Sequence, residues 1–246
     1  MDHSLYIAMT GAKQTMIAQA INANNLANLT TVGFRADLAT AKSIAVDGVG
    51  LPTRVNSVVG SEGTDFSSGH LNFTQRELDF AVNGDGWIAV ESADGDEAYT
   101  RAGNMRVDSF GQLTTGAGLQ VLGDGGPIAL PPFEKVEIGK DGTVSIRGVG
   151  QAANSLQLVD RIKLVNPPVE DLVKGNDGLF RVVGGDTAPP DASVTLISGA
   201  LESSNVNAVS TLINTITLAR EFEAHIKVME TAQQNDSTTT QLLRIS

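Results

Sequence analysis

A chain of 246 residues with 41% hydrophobic residues can bury a core of its own, which excludes wholesale disorder, and its 4% aromatic content disfavours an aromatic-lined sugar or nucleotide site. The formal net charge of −11 comes with no basic stripe, which argues against nucleic acid as a partner, and no apolar run reaches the length of about 18 residues needed to insert in a membrane. With no cysteine, disulfides and thiolate metal sites are excluded as well.

The charge is unevenly placed. Residues 1–35 carry one acid and two bases and residues 203–246 four acids and three bases, so the two ends cancel and all the excess negative charge lies between them. This pattern predicts an acidic, solvated body carrying two nearly neutral, interface-forming ends. The opening residues Met1 to Leu5 have neither a positive n-region nor an apolar h-region, so no cleavable secretory signal is expected there.

Residues Ser4 to Asn28 contain a single breaker, Gly11, and place Leu5, Met9, Ala12, Met16, Ala20, Ala23 and Leu26 along one helical stripe, with Ile7, Ile17 and Ile21 on a second. A helix with apolar residues on two faces cannot satisfy both against one neighbour, so several helices are expected around it. The intervening polar residues are mostly Asn, Gln and Thr, which can hydrogen-bond between packed helices. The helix is expected to stop between Asn28 and Gly33, followed at once by Phe34 and Arg35. From Ala36 to Gly69, glycines and Pro52 punctuate short β-branched runs such as Arg54 to Val59, which reads as an extended connector with a hairpin.

Leu71 to Gly199 reads as an all-β body of short strands. The expected strands are Phe80 to Val82, Trp87 to Ser92, Glu97 to Thr100, Met105 to Val107, Leu113 to Thr115, Val121 to Leu122, Val136 to Ile138, Val144 to Arg147, Leu156 to Val165, Leu179 to Val183 and Val194 to Ser198. Asp94-Gly95, Asp141-Gly142 and Asp177-Gly178 are expected as two-residue hairpin turns in which both central residues take positive φ. From Asn205 to Ser246 there is neither glycine nor proline, and Val206, Val209, Leu212, Ile213, Ile216, Ala219, Phe222, Ile226 and Met229 recur in steps of three and four before Leu242 and Leu243. This predicts one long helix of roughly 60 Å, capped by Ser203, Ser204, Asn205 or Asn207. Periodicity alone leaves an intrachain helix pair and intermolecular packing equally open. The longer helix outruns its only intrachain partner, which favours assembly.

Signals for catalysis are weak. Gly84-Asp85-Gly86-Trp87-Ile88-Ala89 matches a loose dinucleotide pattern, but a strand follows it where a helix is needed, so a β-turn is the better reading. Asp94, Asp96 and Glu97 lack the distal glutamate of a calcium loop, His3, His70 and His225 are scattered, and Glu221 with His225 is a lone pair one helical turn apart. No Gly-x-Ser-x-Gly elbow is present. An enzyme would require a deep pocket lined by two or more acids in the β body. Neither a cofactor nor a metal is expected.

Ala23-Asn24-Asn25-Leu26-Ala27-Asn28, followed by Thr31, Gly33, Phe34 and Arg35, closely resembles the N-terminal signature of the bacterial flagellar rod and hook family. Gly199 to Asn207 is similar to that family's lead-in to its C-terminal helix. Leu78 to Trp87, Tyr99-Thr100-Arg101 with Gly103, and Asp108, Gly111 and Leu113 resemble the core of its middle domain. Within the family, Met1-Asp2-His3, Leu51 to Arg54, the short connector after Phe34, and Trp87 resemble the F-type proximal-rod branch, with the distal-rod branch as the alternative.

The resemblance implies an α+β fold, with N- and C-terminal helices packed as a discontinuous coiled-coil domain (1–35 and 203–246), a connector (36–70) and an inserted β domain (71–202). It implies a non-enzymatic subunit of the periplasmic rod, exported through the flagellar type III apparatus. Such a subunit would assemble helically with copies of itself and other rod subunits, near the rod cap and surrounding rings. The expected subunit-packing residues are Leu5, Met9, Met16, Ile17, Ile21, Asn25, Leu26, Asn28, Gly33 and Phe34 at one end. At the other they are Asn205, Val206, Asn207, Leu212, Ile216, Phe222, Ile226, Met229, Leu242 and Leu243. A different class, an exported β-rich adhesin or carbohydrate-binding module, would keep its function in Leu71 to Gly199.

Overall fold

A computed structural model describes residues 4–39, 41–45, 55–59, 63–152 and 155–245. Two helices and many antiparallel strands give an α+β fold: α1 spans Ser4–Ala27, α2 spans Ala208–Ile245, and all the strands lie between them. The chain forms two compact units. One comprises Met1–Leu29, Ala36–Asp65 and Val206–Ser246, and the other Thr30–Arg35 with Phe66–Asn205. The stretch after Arg35 pairs near the helices, while Thr30–Arg35 is built into the β unit.

In the helical unit, α1 and α2 run antiparallel, with Asn22 Nδ2 donating to Thr211 O (2.9 Å) and to Thr215 Oγ1 (2.7 Å). Near the other end of α1 the helices approach closely at Gly11, where a Cβ would lie 2.5 Å from His225 Cε1. The contact face of α1 is made of small side chains, with Ala8, Ala12 and Thr15 buried. Threonines are tolerated inside both helices because their hydroxyls bond back to the carbonyl four residues earlier, as Thr15 does to Gly11 and Thr215 to Thr211. The hairpin expected in the connector is present as Ala41–Ala45 paired with Val55–Val59, and Asp37–Leu38 pairs with Gly63–Thr64. Leu51 to Arg54 lie outside the described residues.

The β unit is organised by a five-stranded antiparallel sheet in the spatial order Leu164–Val165, Trp87–Glu91, Glu97–Thr100, Phe180–Val182, Leu172–Lys174. In Trp87–Glu91 successive side chains alternate between two clusters. Ile88 and Val90 join the main core with Phe80, Met105, Leu113 and Ile146, and Trp87 and Ala89 join a second with Tyr99, Val165 and Phe180. Apolar cover on both faces explains why this strand reads as an unbroken apolar run. Leu156 to Val165, expected as one strand, divides into Gln157–Arg161 and Leu164–Val165, which serve different sheets. Leu71–Phe73 and Ala200–Glu202 pair as a further ladder not expected from the sequence.

The Asp-Gly turns need a correction. Gly142 and Gly178 take φ of +85° and +78°, but among the described residues the only non-glycine with positive φ is Gln75, so the aspartates stay right-handed. Gly142 N bonds to Gly139 O and Gly178 N to Gly175 O, the pattern of a type I turn closed by a left-handed glycine. The aspartate side chain holds the turn instead: Asp177 Oδ1 accepts from Leu179 N (3.1 Å), and Asp141 Oδ1 from Thr143 N (3.3 Å).

Candidate functional site

Two arrangements stand out, one in each unit. On α1, the residues facing the partner helix are not the ones with the largest side chains. On α1, Leu5, Met9 and Met16 lie about a quarter turn from the Ala8–Ala12–Thr15 face and are exposed, as is Tyr6. On α2, Thr211 is buried, and Thr215, Leu218, Phe222, His225, Ile226, Met229 and Ala232 are half-buried. Val209 (66% exposed), Leu212 (51%), Ile213 (57%) and Ile216 (56%) point to the far side. The stripe that reads as one line in the sequence therefore splits. Repeated steps of three fall behind the helical turn, so the line drifts round the helix from the outward side at Val209 to the α1 side at Phe222.

Asparagines fix the ends of these elements. Asn25 is buried, and its amide pairs with a backbone like a short strand: Nδ2 donates to Asp37 O and Oδ1 accepts from Asp37 N, both at 2.8 Å. Asn207 is the N-cap of α2, its Oδ1 accepting from Val209 N (3.0 Å) and Ser210 N (3.1 Å).

In the β unit a buried ionic cluster closes over the segment Thr30–Arg35. Gly33 sits at φ +68°, and a Cβ there would lie 2.3 Å from the carbonyl carbon of Arg101, so only glycine fits. Its N–H donates to Glu202 O (2.8 Å). Arg35 is fully buried, with Nη2 2.7 Å from Glu202 Oε1, a charge contact not aligned as a hydrogen bond, and its Nε and Nη1 find no acceptor among the described residues. Glu202 Oε2 meets Arg101 Nη1 at 3.3 Å, and Gly69 N donates to Glu202 Oε1 at 2.9 Å. The Arg101 guanidinium stacks 5.2 Å from the centroid of Trp87. Burial holds Arg101 below the usual arginine range; the Glu202 carboxylate opposes this and the Arg35 charge adds to it.

The backbone of the segment is gripped as well. Lys174 Nζ lies 3.9 Å from the Phe34 ring centroid and donates to Arg35 O (2.8 Å), while Asn205 N donates to Phe34 O (3.3 Å). Asn205 Nδ2 also donates to Ser67 O at 3.0 Å.

Three family models match this chain: "flagella basal body rod protein" over residues 5–35, "flagellar hook protein FlgE/F/G D1 domain" over 81–146, and "flagellar basal body rod FlgEFG protein C-terminal" over 197–242. The flagellar basal-body rod protein FlgF of Escherichia coli (strain K12) is 42% identical over 252 aligned positions that cover the whole of both chains. The chain belongs to the flagellar basal-body rod protein family. FlgF of Salmonella typhimurium is 41% identical with the same coverage, and FlgG of Buchnera aphidicola subsp. Schizaphis graminum is 31% identical over 94% of this chain and 96% of its own.

Set against the rod family's segments, the cluster joins their two ends: Arg35 closes the N-terminal match and Glu202 stands near the start of the C-terminal one. Among the residues expected to pack subunits, Leu5, Met9, Met16, Leu212 and Ile216 are exposed, whereas Ile17, Ile21, Leu26, Asn28, Val206, Phe222, Ile226 and Met229 are half-buried. Asn25, Gly33, Phe34, Asn205 and Asn207 are engaged within the chain. The side chains of Leu242 and Leu243 lie outside the described residues.

Arg101, Lys174 and Glu202 were not singled out as site residues, because no sequence spacing ties position 35 to 101, 174 and 202. Among the described residues no group of three His, Cys, Asp or Glu could hold a metal. An open cleft of about 400 Å³ is lined by Pro167, Pro168, Pro189 and Pro190 with Asp171 and Asp191. The Ser193 hydroxyl and N–H hold the Asp191 carboxyl below its usual range.

Proposed function

We propose that this chain is a structural, non-catalytic subunit of the flagellar basal-body rod, of the proximal-rod type, that polymerises helically through its terminal helices to form a torque-transmitting shaft. The observation that carries the reading is the outward apolar line Val209, Leu212, Ile213 and Ile216 on α2, with Met9 and Met16 on α1. Large apolar side chains left outside the contact between the two helices are placed to meet neighbouring helices in a coiled-coil-like bundle. The full-length likeness to FlgF of Escherichia coli and of Salmonella typhimurium, at 42% and 41% identity against 31% for FlgG of Buchnera aphidicola subsp. Schizaphis graminum, supports the proximal assignment.

The partners are then copies of this chain and other rod subunits, with the rod cap and surrounding rings nearby. Export through the flagellar type III apparatus, and a periplasmic site for the shaft, complete the reading. The packing set keeps Leu5, Met9, Met16, Leu212 and Ile216 as its centre.

A Leu212→Ser, Ile216→Ser double variant tests this. Both side chains are exposed in the single chain, so its unfolding free energy should stay within about 0.5 kcal/mol of the parent. Cells carrying it in place of the parent should lack complete rods and fail to swim. Normal motility would overturn the reading.

A further inference from the structure

Thr30–Arg35 is covalently a detached piece of the β unit: residues 36–65, which follow it, belong to the helical unit, as does Leu29 before it. Within the β unit it is held as a bound peptide is held. Arg35 is the anchor, its side chain 0% exposed against a Glu202 side chain 2% exposed. Arg101, backed by Trp87, meets the second carboxylate oxygen and so fixes the acid from behind. The backbone is read at three successive residues, by Glu202 O at Gly33, by Asn205 N at Phe34 and by Lys174 Nζ at Arg35. The Phe34 ring lies under the Lys174 ammonium. One charged anchor with a buried counter-ion, an aromatic contact and a turn whose backbone is matched by donors and acceptors are the elements of a peptide-recognition site.

We propose that the groups around Glu202 form a peptide-binding site for a turn that ends in Gly-aromatic-Arg, which the chain fills with its own residues Thr30–Arg35 and which the same segment supplied in trans, by a second copy, fills when the resident one is displaced. The contacts made are identical in cis and in trans. What favours the resident segment is its high effective concentration. The site demands glycine before the aromatic, because the Gly33 position at φ +68° abuts the Arg101 backbone. It demands arginine after it, because Glu202 is otherwise left facing Arg101 alone. This inference stands on the β unit alone and does not depend on the rod reading.

The experiment uses full-length chains and a dye-labelled peptide spanning Leu29 to Ala36. In a Gly33→Val, Arg35→Ala variant the resident segment cannot seat, while every receptor group is intact. The peptide should bind this variant saturably and raise its thermal midpoint by several degrees at about a hundred times its dissociation constant. It should show at least tenfold weaker binding to the parent chain, whose site is filled. A control peptide with alanine at the position of Arg35 should lose binding at least tenfold. Equal binding of the two peptides, or equal binding to variant and parent, overturns the proposal. If the variant does not fold alone, it is refolded from urea with the peptide present. Recovery of a cooperative Trp87 fluorescence transition with the arginine peptide only supports the site, and no recovery up to millimolar peptide overturns it.

Discussion

Glu202 faces two guanidinium groups, and the exposures of Arg35, Arg101 and Glu202 side chains are 0%, 4% and 2%. A buried ion pair contributes little net stability when whole, since desolvation offsets the attraction, but losing one member leaves uncompensated charge. Glu202→Gln leaves two buried cations facing a neutral amide and should cost about 3–5 kcal/mol. Urea unfolding followed by the fluorescence of Trp87 would measure it, and a loss below about 1 kcal/mol would contradict the buried-cluster account. Tyr99 gives a pH test. Its hydroxyl donates to Glu97 Oε1 (2.9 Å) and accepts from Ala188 N (2.6 Å). Burial pushes its pKa up from 10.0 to about 12, opposed by the Ala188 bond and reinforced by the Glu97 carboxylate. Because the folded value is the higher one, the contribution of the neutral phenol is whole below pH 10 and is lost as pH rises toward 12. Thermal midpoints should fall across that window, and Tyr99→Phe should remove that part of the fall.

At the scale of elements, α2 is 38 residues long, about 57 Å, while α1 has 24 residues to set against it. The start of α2 depends on Asn207, whose side chain satisfies two of the amides a helix leaves open. Asn207→Ala should cost about 1 kcal/mol and fray the first turn, seen as faster hydrogen exchange at Val209 and Ser210. No such effect is expected from Ser203→Ala, whose hydroxyl bonds His70 O and Ser204 O instead. The lengths of both helices and most strands were legible, because helix periodicity, glycine turns and β-branched runs are local signals. The face each helix uses was not. Periodicity selects the largest apolar side chains, Met9, Met16, Leu212 and Ile216, whereas close helix approach selects the smallest, Ala8, Gly11, Ala12 and Thr15. Only packing reveals which face meets the partner helix.

For the whole molecule, two compact units of different make-up should differ in local stability. The β unit has a continuous core through Phe80, Ile88, Met105 and Ile146, all essentially unexposed, while the helical pair is held by small side chains and by Asn22. In dilute monomer, amides of Trp87–Glu91 should exchange at the rate of global unfolding, and those of α2 beyond Met229 should exchange orders of magnitude faster. Equal protection in both would contradict the expectation that the helices are completed by neighbours. By itself the sequence determined the helices at the ends, the acidic β-rich middle and the family, all through local patterns or ordered motifs. Only the tertiary structure decided that Thr30–Arg35 belongs to the β unit, that Glu202 is its counter-charge, and that the bulky stripe of α2 turns outward. These depend on contacts between residues 101 to 193 positions apart, and burying one carboxylate between two guanidinium groups is a choice of three-dimensional packing that no local pattern encodes.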